Sequence, residues 1–270
     1  MKNYAEKCRL RTWVVGVSGG IDSTVVERLC ENTSMTVVAI AMPMWLHKDS
    51  DPSALPRAMA LCVGRPSVDF RIRPIGSIWE AYQKAGIAIS GPAYSVQDEN
   101  ERIRLSQGNL RSRIRADILR DAAGEVGGCV VGTGNLDEDA IGYFTKGGDG
   151  DVDLCPLSLM HKAEVYAMAA AFDGLDSPND QALTVPEDNL NAVPTAGLWD
   201  GQTDEQELGM TYDEIGWAIE HQELLEDPSV RDDTLVPMTD RQKEVLQKVN
   251  HMRKVNAHKL AFPPVYDPEG

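Results

Sequence analysis

Apolar residues fall into two rhythms along this chain, short unbroken runs and stripes spaced three or four apart, and the two alternate from the N-terminus onward. The runs at 13–17, 36–42 and 129–133 predict buried strands, and the alternating stretch at 67–72 predicts another. The striped segments predict helices from about 22 to 31, 53 to 63, 74 to 86, 99 to 123, 136 to 141 and 159 to 172. Gly91-Pro92 breaks the chain before the longest of these, where Ile103, Leu110, Ile114 and Ile118 share a face and Arg111, Arg113 and Arg115 fall largely elsewhere. Strands alternating with helices imply an α/β fold, a doubly wound, Rossmann-like parallel sheet flanked by helices, with right-handed crossovers. Ligands in such sheets lie beyond the C-terminal strand ends where strand order reverses, so the loops after Val17 and Val131 are expected to share one site.

Beyond residue 173 the pattern loosens. Residues 174–203 contain Pro178, Pro186 and Pro194 and predict a long loop, and the overlapping stretch 183–205 is expected to be a mobile flap over the site. Residues 204–221 and about 239–257 predict helices, and Pro263-Pro264-Val265-Tyr266 a packed strap. With 270 residues and 42% hydrophobic content, the chain is expected to form a single domain over 1–270.

Composition narrows the compartment and the partners. No stretch approaches 18 apolar residues, and the start Met-Lys-Asn-Tyr-Ala-Glu-Lys-Cys lacks a signal-peptide core, which predicts a cytoplasmic protein without a membrane partner. Cys8, Cys30, Cys62, Cys129 and Cys155 are odd in number, widely spaced and free of any C-x-x-C pair. They are expected to be small buried apolar residues, neither disulfides nor zinc ligands. The net charge of −16 disfavours nucleic acid, yet it is concentrated: residues 173–240 hold 18 acidic residues and one basic residue, Arg231. The remainder is nearly neutral and can host anionic ligands.

The chemistry begins where the first strand ends. Ser18-Gly19-Gly20-Ile21-Asp22-Ser23 leads from that strand into a helix, with glycines for close backbone approach and side-chain oxygens at the helix entrance. Free N–H groups and the helix dipole favour an anion there by roughly 0.3–1 kcal/mol in exposed settings. Neither the lysine-ending Walker loop nor the dinucleotide pattern G-x-G-x-x-G is present. Asp22 is the informative departure, because a carboxylate in an anion pocket repels phosphate unless a divalent cation, such as magnesium, lies between them. The loop resembles the S-G-G-x-D-S loop of the N-type ATP pyrophosphatases, adenine nucleotide alpha hydrolase-like enzymes that split ATP between its α and β phosphates.

A second stretch runs from Gly132-Thr133-Gly134-Asn135-Leu136-Asp137-Glu138 through Gly142-Tyr143-Phe144-Thr145-Lys146 to Asp153, Pro156-Leu157 and Lys162. With Arg111-Ser112-Arg113, Pro194-Thr195-Ala196 and His258-Lys259, it resembles the ammonia-dependent NAD synthetases over nearly the whole chain from residue 13. The resemblance implies ATP-dependent amidation of deamido-NAD by ammonia to NAD, AMP and pyrophosphate through an acyl-adenylate, in a homodimer. It also implies site residues. Gly16, Val17, Ser18, Gly19, Gly20, Ile21, Asp22, Ser23, Thr133, Lys162 and Thr195 match ATP-binding positions, and Asp22 and Glu138 match magnesium ligands. Arg113, Lys146, Asp153, His258 and Lys259 match positions that bind deamido-NAD. Asp22, Glu138 and Lys162 are the expected catalytic set.

The chain departs from the family pattern in three places. The loop starts at residue 16 where members usually carry a few dozen more residues ahead of it, which is expected to alter the dimer interface. The glutamine-containing loop after the second strand is replaced by Met44-Trp45-Leu46-His47-Lys48-Asp49, and the family's H-K-R reads His258-Lys259-Leu260. Two other readings stay open: another N-type ATP pyrophosphatase amidotransferase core, and an ATP-binding regulator without turnover.

Overall fold

The computed structural model of the protein describes residues 1–45, 51–85, 96–177, 182–195, 203–221 and 238–261, with the backbone alone for 96–101. The expected strap at 263–266, the break at Gly91-Pro92, residues 196–202 of the flap and parts of the acidic segment lie outside the described residues.

In chain order the elements are α1 (Lys2–Cys8), β1 (Thr12–Gly16), α2 (Ile21–Glu31), β2 (Thr36–Ala41), α3 (Ala54–Cys62), β3 (Val68–Ile72), α4 (Gly76–Lys84), α5 (Val96–Val126) and β4 (Cys129–Val131). There follow α6 (Leu136–Ile141), α7 (Lys162–Ala171), α8 (Glu187–Leu190), α9 (Asp204–Leu208), α10 (Tyr212–Glu220) and α11 (Asp240–Leu260). The four strands are all parallel in the order β3-β2-β1-β4, so the strand order reverses between β1 and β4. That reversal opens the crevice in which the loops after Gly16 and Val131 face each other.

Each strand splits its side chains between two layers because successive residues of a pleated strand point to opposite faces. Trp13, Val15, Val37, Ala39 and Cys129 join one core with Val25 of α2, Leu61 of α3 and Val165 of α7. Val14, Val38, Ile40 and Val130 join the other, against Ile118, Leu119, Ala122 and Ala123 of α5. Burying such a Val or Leu side chain stabilises by roughly 1.5–3 kcal/mol, so the continuous apolar runs of β1 and β2 have a covered place on both faces. A separate cluster of Ile141, Leu208, Met210, Ile215, Val245 and Val249 packs α6, α9, α10 and α11 together near the crevice. The outer edge of β4 is closed by the stretch after Val152: Gly132 N–H donates to the Leu154 carbonyl at 2.8 Å, and Asp153 N–H to the Val130 carbonyl at 2.9 Å.

Several boundaries differ from those the pattern predicts. The strands end one or two residues earlier, at Gly16, Ala41 and Val131, because the chain turns there into the ligand loops. The helix expected over 204–221 is two helices: Gly209 takes a left-handed φ of 64° and a Thr211–Glu214 capping box starts a new one. The loop expected over 174–203 contains α8, and α1 precedes β1, both too short to carry a periodic signal. Ile103 is 45% exposed although Leu110, Ile114 and Ile118 face inward. Cys30, Cys62 and Cys129 are buried as expected, whereas Cys8 and Cys155 are exposed; all five are free thiols.

Candidate active site

The crevice is a cavity of about 520 Å³. Gly16, Val17, Ser18, Gly20, Ile21, Asp22, Ser23, Thr133, Glu138, Thr195 and Lys259, all expected site residues, line it. The loop from Ser18 to Ser23 is held by its own hydroxyls: Gly20 N–H donates to Ser18 Oγ at 3.2 Å, and Ser23 Oγ and Thr24 Oγ1 donate to the Gly20 carbonyl at 3.0 and 2.9 Å. Gly20 occupies the N-cap of α2, and no side chain caps the helix. Its first-turn N–H groups are therefore available to an anion. Gly19 has a φ of 80°, and a Cβ there would meet the Ala54 carbonyl at 2.5 Å, so a side chain is excluded twice over.

At the helix entrance a lysine is clamped between two carboxylates. Lys162 Nζ donates to Asp22 Oδ2 at 2.6 Å and lies 3.7 Å from Glu138 Oε1, with its side chain 4% exposed. Asn135 Nδ2 donates to the other oxygen of Asp22 at 3.1 Å. Glu138 is fixed by a capping box with Asn135 at the start of α6, the local signal that turns this acidic residue inward. Tyr212 brings its hydroxyl within 2.9 Å of both Glu138 Oε1 and Asp204 Oδ2, while its ring lies 4.5 Å from the Lys162 ammonium. Tyr143 hydrogen-bonds to Glu207 at 2.8 Å and to Asp204 at 3.2 Å.

These contacts set the charges. Burial, reinforced by the Asp22 carboxylate and opposed by Lys162, pushes Glu138 up to about 8. Burial works against the Lys162 ammonium, but Asp22 and Glu138 outweigh it and hold its pKa above the ordinary lysine value. Burial and the flanking carboxylates raise the pKa values of Tyr143 and Tyr212, which stay neutral donors. Asp22 and Glu138 are two hard oxygen donors at an anion-binding helix start, with a cation already drawn between them. That suits a divalent ion whose remaining positions are filled by phosphate and water. Among the described residues no group of three or more His, Cys, Asp or Glu side chains forms a protein-only metal cage.

The other expected ligands are placed less centrally. Lys162 stands behind Asp22, outside the cavity lining. Gly19 is also absent from the lining; its carbonyl turns away toward Arg57 and Asn189. Arg113 donates to the Lys146 carbonyl at 3.2 Å, Lys146 to the His258 carbonyl at 2.8 Å, and Lys259 to the Gly142 and Phe144 carbonyls at 2.8 Å. This chain of contacts joins α5, the loop after α6 and the end of α11. Asp153 accepts from Val130 N–H at 2.8 Å and from Arg120 at 2.5 Å, so its carboxylate also ties the sheet edge.

Two groups near the loop have no counterpart in the sequence reading. Asp51 and Arg57, at the start of α3, line the cavity beside Ser18 and Gly20. Behind Lys162, the buried Asp137 accepts Lys162 N–H at 2.7 Å and lies 2.6 Å from His161 Nδ1, so His161 is a partner in the site's support. An acidic residue in the first turn of α6 and a histidine just before the lysine were the available signals.

A family model for NAD synthase matches residues 1–263 of the chain. An NH(3)-dependent NAD(+) synthetase of Alkaliphilus metalliredigens is 35% identical over 98% of this chain and 94% of its own length. One of Methanosarcina acetivorans is 34% identical over 98% and 93%. Among solved structures, an NMN synthetase from Francisella tularensis superposes with a TM-score of 0.78 at 25% identity, covering 98% of this chain and 93% of that one. An NH3-dependent NAD synthetase from Campylobacter jejuni gives a TM-score of 0.67 at 23% identity, a likeness of fold.

Proposed function

Because the chain belongs to the NAD synthase family, we propose that it is a ligase amidating deamido-NAD with free ammonia, with ATP cleaved to AMP and pyrophosphate through an acyl-adenylate. The observation that carries this reading is the Asp22–Lys162–Glu138 cluster at the open start of α2. It sits where the strand order reverses and where a triphosphate would be held by backbone N–H groups. Asp22 and Glu138 would hold magnesium, which when bound screens the phosphates from the incoming carboxylate. The chain's own residues supply the rest. The Ser18–Ser23 loop orients the triphosphate, and Lys162 holds a positive charge beside it.

In the first step an oxygen of the nicotinate carboxylate bonds to the α-phosphorus, and the bridging P–O bond breaks with its electron pair leaving on pyrophosphate. In the second, ammonia attacks the acyl carbon, the acyl C–O bond breaks with its electron pair leaving on the phosphate of AMP, and the proton shed by the nitrogen passes to solvent. No nucleophilic side chain is needed, so positioning and fixed charge carry the catalysis. Thr133 and Thr195 join the ATP site. Arg113, Lys146, Asp153, His258 and Lys259 are assigned to deamido-NAD by family match, and Lys259 alone of these reaches the cavity lining. The chain acts as one domain and as a homodimer, with 183–205 as a cover that keeps water from the adenylate. No helix among the described residues is long and apolar enough to cross a membrane.

The test is direct: deamido-NAD, ATP, magnesium and ammonium should yield NAD, AMP and pyrophosphate. Product from glutamine but not from ammonium would overturn the donor assignment, and tight ATP binding without any amide product would favour a regulator. A second reading, amidation of the mononucleotide, is supported by the likeness to the NMN synthetase. Comparing kcat/KM for deamido-NMN with that for deamido-NAD separates the two.

A further inference from the structure

Arg57 stands in the first half of α3 and lines the cavity, whereas Lys162 stands outside the lining, behind Asp22. Its guanidinium is fixed at two points. Nε donates to the Gly19 carbonyl at 2.9 Å, and Nη2 pairs with Asp51, which is itself set by Ser53 N–H at 2.9 Å and Ser53 Oγ at 2.6 Å. The side chain is 12% exposed, and among the described residues Nη1 meets no acceptor. Arg57 lines the same cavity as Ser18, Gly20 and Ser23. A guanidinium carries five N–H donors in a rigid fork, and two points of attachment leave the remainder aimed by the frame. The Gly19 contact has a second effect: drawing that carbonyl away from the cavity leaves the loop's N–H groups, and not its oxygen, facing an anion.

We propose that Arg57 is a ligand of the pyrophosphate half of ATP, holding the β and γ phosphates while the bond to the α phosphorus breaks. This rests on the reading of the Ser18–Ser23 loop as the triphosphate site. When the bridging P–O bond breaks, its electron pair and negative charge move onto pyrophosphate. A fixed cation at that end stabilises the leaving group without moving a proton. Lys162 cannot serve both ends, because Asp22 and Glu138 hold it at the start of α2. The division of labour is therefore spatial, with Arg57 in the cavity lining and Lys162 held behind Asp22.

The measurement is the affinity for inorganic pyrophosphate with magnesium, read by calorimetry, beside the affinity for AMP, which lacks the β and γ groups. Arg57→Ala should weaken pyrophosphate binding roughly tenfold to a hundredfold, the value of one charge-assisted contact of about 1.5–3 kcal/mol. It should raise the KM for ATP and leave AMP affinity unchanged, with a modest fall in melting temperature from the lost Gly19 and Asp51 contacts. Arg57→Gln, which keeps an amide donor for the Gly19 carbonyl but no charge, should show the same selective loss; Asp51→Asn should lie between. Unchanged pyrophosphate affinity in Arg57→Gln would overturn the proposal. So would equal weakening of pyrophosphate and AMP, which would make Arg57 only a brace for the loop. Because the readout is binding, it is decided separately from the proposed reaction: a parent protein that binds pyrophosphate yet makes no amide refutes that reaction and leaves this inference standing.

Discussion

Replacing Lys162 with methionine keeps most of the unbranched side chain and removes its charge. Asp22 and Glu138 then face each other at the start of α2 with no cation between them, in a place where the lysine side chain was 4% exposed and both carboxylates 18%. Removing one partner of a buried ion pair typically costs about 3–5 kcal/mol. For a protein of this size that corresponds to a fall in melting temperature of roughly 10 °C or somewhat more. Glu138, already pushed up to about 8 by burial and Asp22, takes a proton more readily still once Lys162 is gone, which limits the loss at neutral pH. Two measurements check this. Differential scanning calorimetry should show the drop, and magnesium with ATP should recover more stability in Lys162→Met than in the parent, since a divalent cation restores charge balance between the carboxylates. Turnover should fall about 10²- to 10³-fold, the scale of losing one preorganised charge at a reacting centre. A variant that melts within about 2 °C of the parent in the absence of ligand would refute the reasoning, because the carboxylates would then have been balanced by something other than Lys162.

Three further outcomes are expected. Glu27, wholly buried on α2 beside Arg28, is pushed up to about 7 by burial, with Arg28 opposing. Its folded pKa lies above the ordinary 4.5, so its contribution is present at pH 4.5 and below and is lost as pH rises through 7. The melting temperature should decline from pH 5 to 8 and the slope should flatten in Glu27→Gln, a difference of up to about 3 kcal/mol; an identical pH profile in the variant would count against it. Asp153→Asn should lower stability by about 1–3 kcal/mol, since it weakens the bonds to Val130 N–H and Arg120; a change confined to the KM for deamido-NAD would show a purely ligand-binding role. Cleavage within 183–205 by broad-specificity or acidic-residue-specific proteases should slow when ATP and magnesium are added, since the stretch holds acidic residues and no Lys or Arg, and equal rates would argue against a cover.

What the sequence revealed was local, and what it hid was assembled at a distance. Ser18–Ser23 and Asn135–Glu138 are contiguous strand-to-helix junctions, and their spacing alone brings the right groups to the helix starts. The parallel sheet followed from apolar runs that are covered on both faces. By contrast, no local signal marks Glu27, Arg28 and Glu31 as interior residues, yet α2 lies under α7, α3 and the 184–190 stretch and buries all three. Arg28 donates to the carbonyls of Leu61 and Thr184, partners 33 and 156 residues away. Arg57 was equally silent, since its meaning comes from Gly19, 38 residues earlier. The split of 204–221 into two helices was concealed because Gly209 interrupts an acidic, helix-favouring run whose periodicity continues across it.

The closed edge of β4 ties the quality of the fold to the completeness of the site. Strand edges left bare recruit other chains, and here the edge is covered by residues 152–154, within the same segment that carries Lys146 and leads to Lys162. The stretch that covers this edge leads directly into α7, whose first residue is Lys162, so the covering of the sheet edge and the delivery of that lysine to Asp22 are parts of one structural arrangement.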